Sequence, residues 1–182
     1  MTAHPPNIDP ATPERQWILT RTFDAPRELV WKAWTDPIHM AKWWGPRVFT
    51  NPVCEMDVRP GGKFRIVMRG PAGDEYPFKG EFLEVEAPRW LVYTNDCSEH
   101  GEQWLNMVYP DRDRSQPPPT AITEVTFDDV GRKTRLSICM TFDSQITRER
   151  HVQIGMYHGW SDSLDALAEL VASPEEKIFL QV

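Results

Sequence analysis

The C-terminal segment, residues 145–172, constrains the fold most, because its apolar side chains recur at helical spacing over most of its length. At 100° per residue, one broad stripe collects Val152, Met156, Trp160, Leu164, Leu167 and Val171. The opposite side carries charged residues together with His151 and His158. A single long helix with such a stripe must bury it, and a curved sheet is the obvious partner.

The preceding sequence supplies the strands of that sheet. Stretches rich in β-branched and aromatic residues, in part alternating between apolar and polar, predict strands at 15–23, 48–59, 63–70, 76–86 and 89–96, and a hairpin at 121–142. Two short helices are predicted after the first strand: Pro26 opens one, and Asp36 caps the second, which Gly45 ends. This order of elements predicts an α+β fold in which an antiparallel sheet covers the last helix.

Composition excludes several classes of partner. The net charge of −7 and the lack of a basic cluster argue against nucleic-acid binding, because the average surface would repel phosphate groups. No apolar run approaches the roughly 20 residues that span a bilayer, and the N-terminus lacks the features of a signal peptide. Three scattered cysteines suit a reducing compartment. We therefore expect a cytoplasmic protein without membrane contacts, with a disordered tail at 1–14, one domain at 15–172 and a second tail at 173–182.

Familiar catalytic and cofactor motifs are missing from the sequence, including phosphate-binding loops and paired metal-binding cysteines. His151 and His158 would lie about 10 Å apart on the charged side of the last helix, too far to share one metal ion. His39 also projects outward on its short helix. These histidines are predicted to be solvated, and the sequence predicts neither a metal site nor a cofactor.

Two glycines in the last segment raise the possibility of a cavity. Gly155 and Gly159 lie four residues apart, and each interior glycine costs a helix about 1 kcal/mol relative to alanine. Close packing of the helix on the sheet is one explanation. The other is space, because small residues beside the stripe would leave a gap lined by Met156 and Trp160 that suits an apolar ligand.

Adjacent tryptophans and a long irregular segment would border this gap. The helical projection places Trp44 in the core and Trp43 at the border between faces, where its indole could cap the mouth of a cavity. Residues 97–120 interrupt the strand pattern and hold three large side chains, Trp104, Met107 and Tyr109, before a proline-rich stretch. A connection of that length is typical of a functional lid or a disordered loop.

Three stretches, in order, resemble one protein family: DAPRELVWKAWTDP followed by WWGP, then RPGGKFRIVMRGPAGDEYPFKGEFLEVEAPRWLVYTND, then HGWSDSLDALAEL. The family is the bacterial branch of the START-like (SRPBCC) superfamily named after the heat-shock-protein-90 ATPase activator, and the resemblance covers residues 16–172. It implies a helix-grip fold, in which an antiparallel sheet curls around a long C-terminal helix and two short helices close one end. Related proteins use the enclosed cavity for apolar or aromatic small molecules. The segment 97–120 looks longer and more aromatic than the family's usual connection.

These observations favour a non-catalytic protein that binds a small hydrophobic molecule. The residues expected to contact it are Trp43, Phe49, Phe64, Ile66, Met68, Phe82, Tyr93, Trp104, Met107, Tyr109, Met156, Gly159 and Trp160.

Two other functions stay open. One is an enzyme of the cyclase, aromatase or hydrolase kind, with Tyr93 as donor, Glu81 as base and Arg69 as anion clamp. In the simpler interpretation, Glu81 lies on a solvated strand face. The second is a chaperone-linked interaction module, although the resemblance does not imply chaperone activation. The ligand, any reaction and the oligomeric state, including a homodimer, do not follow from the sequence.

Overall fold

Seven strands and five α-helices make up residues 13–174, the part of the chain that the computed structural model describes. The strands are β1 Gln16–Phe23, β2 Thr50–Met56, β3 Lys63–Arg69, β4 Glu75–Glu86, β5 Trp90–Asn95, β6 Ala121–Val130 and β7 Lys133–Thr141. The helices are α1 Arg27–Thr35, α2 Pro37–Trp43, α3 Glu102–Val108, α4 Gln145–Gln153 and α5 Met156–Ala172, and a 3-10 turn, Pro13–Arg15, precedes β1. Most of each predicted tail lies outside the described residues.

The strands form one curved antiparallel sheet in the order β1-β7-β6-β5-β4-β3-β2, and α5 packs across one face of it. The core joins strand residues such as Leu91, Val125 and Ile138 to the buried face of α5. Four of the six stripe residues are buried in α5: Trp160, Leu164, Leu167 and Val171. The predicted α+β helix-grip fold is therefore confirmed.

The prediction of one continuous C-terminal helix is wrong. Helix α4 ends at Gln153, and α5 begins at Met156 after Gly155, which adopts a left-handed conformation with φ of 99°. An L-residue with a Cβ atom is strained in that conformation, whereas glycine is not. Because α4 is a separate helix, the projection of α5 does not continue through it: Val152, expected on the buried stripe, is 39% exposed, and His151, expected in solvent, is buried.

The two short helices agree with their predicted capping residues. The Asp36 side chain accepts hydrogen bonds from the backbone N–H groups of Ile38, at 2.9 Å, and His39, at 3.4 Å. Gly45, with φ of 94°, follows the end of α2. The predicted exposure of His39 is wrong, because its ring turns back onto the Asp36 carboxylate, 3.3 Å away, and is buried there.

The segment 97–120 contributes helix α3, which packs against α4. Leu105, Val108 and Tyr109 form a small hydrophobic cluster, separate from the main core, with Trp104 and Ile154 at its edge. We call α3 and α4 together the cover layer, since both border the cavity described below. Polar contacts also join its two helices: the Arg150 guanidinium donates to the Val108 carbonyl at 3.3 Å.

Candidate ligand-binding cavity

A cavity of about 380 Å³ lies between the sheet, α5 and the cover layer. Strands β3, β4 and β7 supply its floor through side chains such as Met68, Phe78 and Met140. Helix α5 supplies one wall through Met156 and Trp160. The lining is mostly apolar and aromatic, which is the usual character of sites for small organic molecules.

The structure divides the residues that the sequence placed around the cavity into two groups. Those in the cavity lining are Phe49, Met68, Trp104, Met107, Tyr109, Met156, Gly159 and Trp160. Those outside the lining are Trp43, Phe64, Ile66, Phe82 and Tyr93, which belong to the main core. Alternation along a strand predicts which face is buried, but it cannot tell where a neighbouring helix closes onto that face and where a gap remains.

The tryptophan pair differs from the prediction in one respect: both rings belong to the main core, as predicted for Trp44, but Trp44 rather than Trp43 also borders the cavity. Trp43 is 1% exposed, its ring centroid lies 4.8 Å from that of Trp34, and its indole N–H donates to the Ala33 carbonyl at 2.8 Å. Trp44 lines the cavity, and its indole nitrogen has no hydrogen-bond partner among the described residues. The helical projection failed because α2 ends at Trp43, and Trp44 already has an extended backbone, with ψ of 128°.

The three candidate catalytic side chains do not converge on the cavity. Glu81 is exposed, as on a solvated strand face, and the exposed Arg69 guanidinium pairs with the Glu75 carboxylate at 2.6 Å. Tyr93 is buried in the core, where desolvation raises the pKa of its phenol and the Thr123 hydroxyl beside it lowers that pKa only in part. The proposed base and anion clamp are therefore misplaced for chemistry in the cavity.

Two histidines that the sequence did not indicate as site residues line the cavity. The His151 Nδ1 atom lies 2.9 Å from the Thr147 carbonyl, and His100, 4% exposed, comes from the segment before α3. Burial lowers the pKa of His100 to about 4 and also lowers that of His151, so both rings are neutral at pH 7. Only Gly155, as a sign of a helix end, could have indicated that His151 leaves the solvated face.

Aromatic rings connect these histidines. The Trp104 ring centroid lies 4.3 Å from that of His100 and 5.5 Å from that of His151. His151 also lies 4.6 Å from the Phe142 ring and 6.0 Å from the Tyr109 ring. We call this group, His100, Trp104, Tyr109, Phe142 and His151, the histidine side of the cavity.

Small residues of α5 leave space for the cavity. A Cβ atom on Gly159 would meet only Pro46, at 3.9 Å, so this glycine opens onto the cavity. The Ser163 hydroxyl donates to the Gly159 carbonyl at 2.8 Å and accepts from the Gly45 N–H at 2.9 Å, which ties the end of α2 to α5. Gly155 does not continue a ridge of small residues, because it ends the preceding helix instead.

Charged groups are absent from the lining in the described part of the chain: no lysine, arginine, aspartate or glutamate side chain contributes to it. The one thiol in the lining, Cys97, has its pKa raised to about 12 by burial, so it is not a nucleophile at neutral pH. Within residues 13–174, no group of three or more metal-ligating side chains comes together, and no helix is both long and apolar enough to cross a bilayer.

Comparisons with known proteins agree with this geometry. A family model described as Activator of Hsp90 ATPase homolog 1-like protein matches residues 24–172. The crystal structure of a Nitrosomonas europaea protein is similar, with a TM-score of 0.73 and 28% sequence identity over 91% of this chain and 98% of that one. A second crystal structure, of a protein from Chromobacterium violaceum, has a TM-score of 0.68 and 28% sequence identity over 87% of this chain and 98% of that one. The AHSA1 protein from Silicibacter pomeroyi shares the fold, with a TM-score of 0.63. It is 22% identical in sequence over 86% of this chain and 97% of that one. No curated protein sequence matches significantly.

Proposed function

The chain belongs to the Activator of Hsp90 ATPase homolog 1-like family, and from this premise we propose that it binds a small apolar or aromatic molecule in the cavity between the sheet and α5. One observation carries the proposal: a volume of about 380 Å³ is walled mostly by aromatic and aliphatic side chains and by no charged group of the described chain.

The size and chemistry of the cavity narrow the ligand. Pockets for small molecules span roughly 300–1,000 Å³, so this one suits a compact molecule of one or two fused rings. Trp44, Trp104 and Trp160 offer flat surfaces to an aromatic ligand. Each Å² of apolar ligand surface that leaves water contributes about 25 cal/mol, which makes a neutral aromatic body the most favourable occupant.

Binding is proposed ahead of catalysis because the acid, base and clamp candidates from the sequence are not assembled around the cavity. The family description names a chaperone activator, but no feature of the described chain favours a chaperone contact over the cavity. A cytoplasmic location and one domain over 15–172 stay predictions.

A cavity-filling variant tests the proposal. Titration with N-phenyl-1-naphthylamine, a neutral fluorescent probe, is expected to give saturable binding to the wild-type protein. Gly159→Phe fills the cavity from α5 and should abolish that binding. His158→Phe adds the same ring one residue earlier, on the exposed face, and should bind the probe normally.

Far-UV circular dichroism of both variants establishes that they are folded. A probe that does not saturate the wild-type protein, or that binds Gly159→Phe as tightly as His158→Phe, would show that the cavity is not a binding site.

A further inference from the structure

The polar atoms of the cavity are not spread evenly over its wall. Its two histidines both contact Trp104, whereas the wall around Trp44 and Trp160 consists mostly of aromatic rings and small residues, among which the Ser163 hydroxyl is already hydrogen-bonded. A ligand that fills the cavity therefore meets an apolar surface over most of its length and ring nitrogens on the histidine side.

The hydrogen bond at Nδ1 fixes the proton of His151. A backbone carbonyl can only accept, so the Nδ1 atom 2.9 Å from the Thr147 oxygen must carry the hydrogen. A neutral imidazole has one N–H group, so Nε2 is left as an acceptor. His151 thus offers the cavity a hydrogen-bond acceptor and no donor.

His100 is also uncharged. Neither of its ring nitrogens has a hydrogen bond of good geometry in the described chain, although the Pro77 carbonyl lies close enough to favour the protonated ring slightly. Burial of the ring opposes protonation most strongly, and it outweighs the Pro77 carbonyl and the Asp96 carboxylate, which both favour the protonated ring. An imidazole kept neutral beside a second neutral imidazole provides no charge to hold an anion.

The charge of the wall excludes ionised ligands. A carboxylate in the cavity would face the Nε2 lone pair and find no lysine or arginine in the described lining. A cation would find no carboxylate there, because Asp96 and Asp143 act on the histidines from outside the lining. Moving an unpaired ion into such a site is strongly unfavourable.

We propose that the ligand is a neutral aromatic alcohol of the phenol class, whose hydroxyl donates a hydrogen bond to Nε2 of His151 while its ring packs against Trp104 and Phe142. This inference rests on the proposed function, because it names the chemical class that the same cavity selects. Its specificity comes from an acceptor whose proton position is fixed and which lies among the aromatic rings of the histidine side.

Three naphthalenes of nearly equal size separate the effect of a hydrogen-bond donor from the effect of charge. At pH 7, 2-naphthol is a neutral donor, 2-methoxynaphthalene lacks the donor, and 2-naphthoate is an anion. Displacement of N-phenyl-1-naphthylamine should rank 2-naphthol about three- to tenfold tighter than 2-methoxynaphthalene, the range that one buried hydrogen bond provides. The carboxylate should bind more weakly than both.

The variant His151→Phe assigns the acceptor. Phenylalanine keeps a ring in the wall but has no nitrogen, so the preference for 2-naphthol over 2-methoxynaphthalene should fall to about onefold while 2-methoxynaphthalene still binds. His158→Phe, the same substitution on the exposed face, should keep the preference. The ranking of the three compounds on the wild-type protein does not depend on whether His151→Phe folds. The ¹⁵N chemical shift of the wild-type His151 Nε2 atom gives a further readout, because it should change when 2-naphthol binds and not when 2-methoxynaphthalene binds.

The outcomes distinguish the two proposals. If none of the three compounds displaces the probe and the probe itself does not saturate, the cavity does not bind ligands and both proposals fail. If all three bind and the alcohol has no advantage over the ether, the cavity binds apolar molecules and the phenol inference is overturned. A carboxylate that binds tightest would overturn it as well.

Discussion

Truncation of each tryptophan of the adjacent pair should separate stability from ligand binding. Trp43→Ala removes a fully buried indole and its hydrogen bond to the Ala33 carbonyl. Large-to-small core changes of this kind cost about 3–5 kcal/mol, and the lost hydrogen bond adds about 1 kcal/mol, so we expect a loss of about 4–6 kcal/mol. Trp44→Ala should cost about 2–3 kcal/mol, because that ring already borders an open cavity and its N–H has no partner to lose.

Urea denaturation followed by far-UV circular dichroism measures both losses, since ellipticity is not altered by the change in tryptophan number in the way that fluorescence is. Because the larger loss approaches the whole stability of a typical domain, Trp43→Phe and Trp44→Phe serve as a milder pair in which the ranking should persist. The affinity for N-phenyl-1-naphthylamine should fall at least threefold in the Trp44 variants and stay within twofold in Trp43→Phe. A greater loss of stability at Trp44 than at Trp43, or unchanged probe affinity in Trp44→Ala, would refute this division of roles.

Three further perturbations have outcomes fixed by the structure. Gly159→Ala should raise the free energy of unfolding by up to about 1 kcal/mol, because alanine favours the helix and its Cβ atom fits. The affinity for the probe should fall, and an unchanged affinity would show that Gly159 does not line the binding site. Gly155→Ala should instead lower the free energy of unfolding by about 1–2 kcal/mol, because φ of 99° strains an L-residue. Both glycine substitutions are measured as shifts of the urea midpoint. A more stable Gly155→Ala protein would refute the helix break. Finally, the pKa of His100 falls from 6.5 to about 4 on folding, so the unfolded chain takes up a proton first and stability drops as the pH falls from about 6.5 to 4. The drop is about 3 kcal/mol, and it should be missing from the plot of unfolding free energy against pH for His100→Phe. Parallel curves for the two proteins would show that His100 is not buried in its neutral form.

The fold was predictable because its signals are local and periodic. Alternation in 63–70 and 121–142 depends only on the two faces of a strand, and Asp36 followed by proline is the usual start of a helix. Buried faces of strands and helices therefore follow from neighbouring residues alone.

The site was less predictable, because it depends on where regular structure stops. Trp44 faces the cavity since α2 ends one residue before it, and His151 is buried since Gly155 interrupts the helix. Both errors arose from continuing a helical projection beyond the residue at which the backbone leaves the helix. His100 lies outside any periodic element, so no projection could place it.

The cavity has a floor and a cover that belong to different hydrophobic clusters. The floor includes residues of the main core such as Met140, whereas Leu105, Val108 and Tyr109 of the cover layer form a small cluster of their own. A small cluster opens locally at a lower free energy than the whole domain unfolds. We expect a molecule to enter by transient displacement of α3 without loss of the sheet and, once bound, to bridge the two clusters. Slower hydrogen exchange in α3 and α4, with little change in β5 to β7, would be the signature of an occupied cavity.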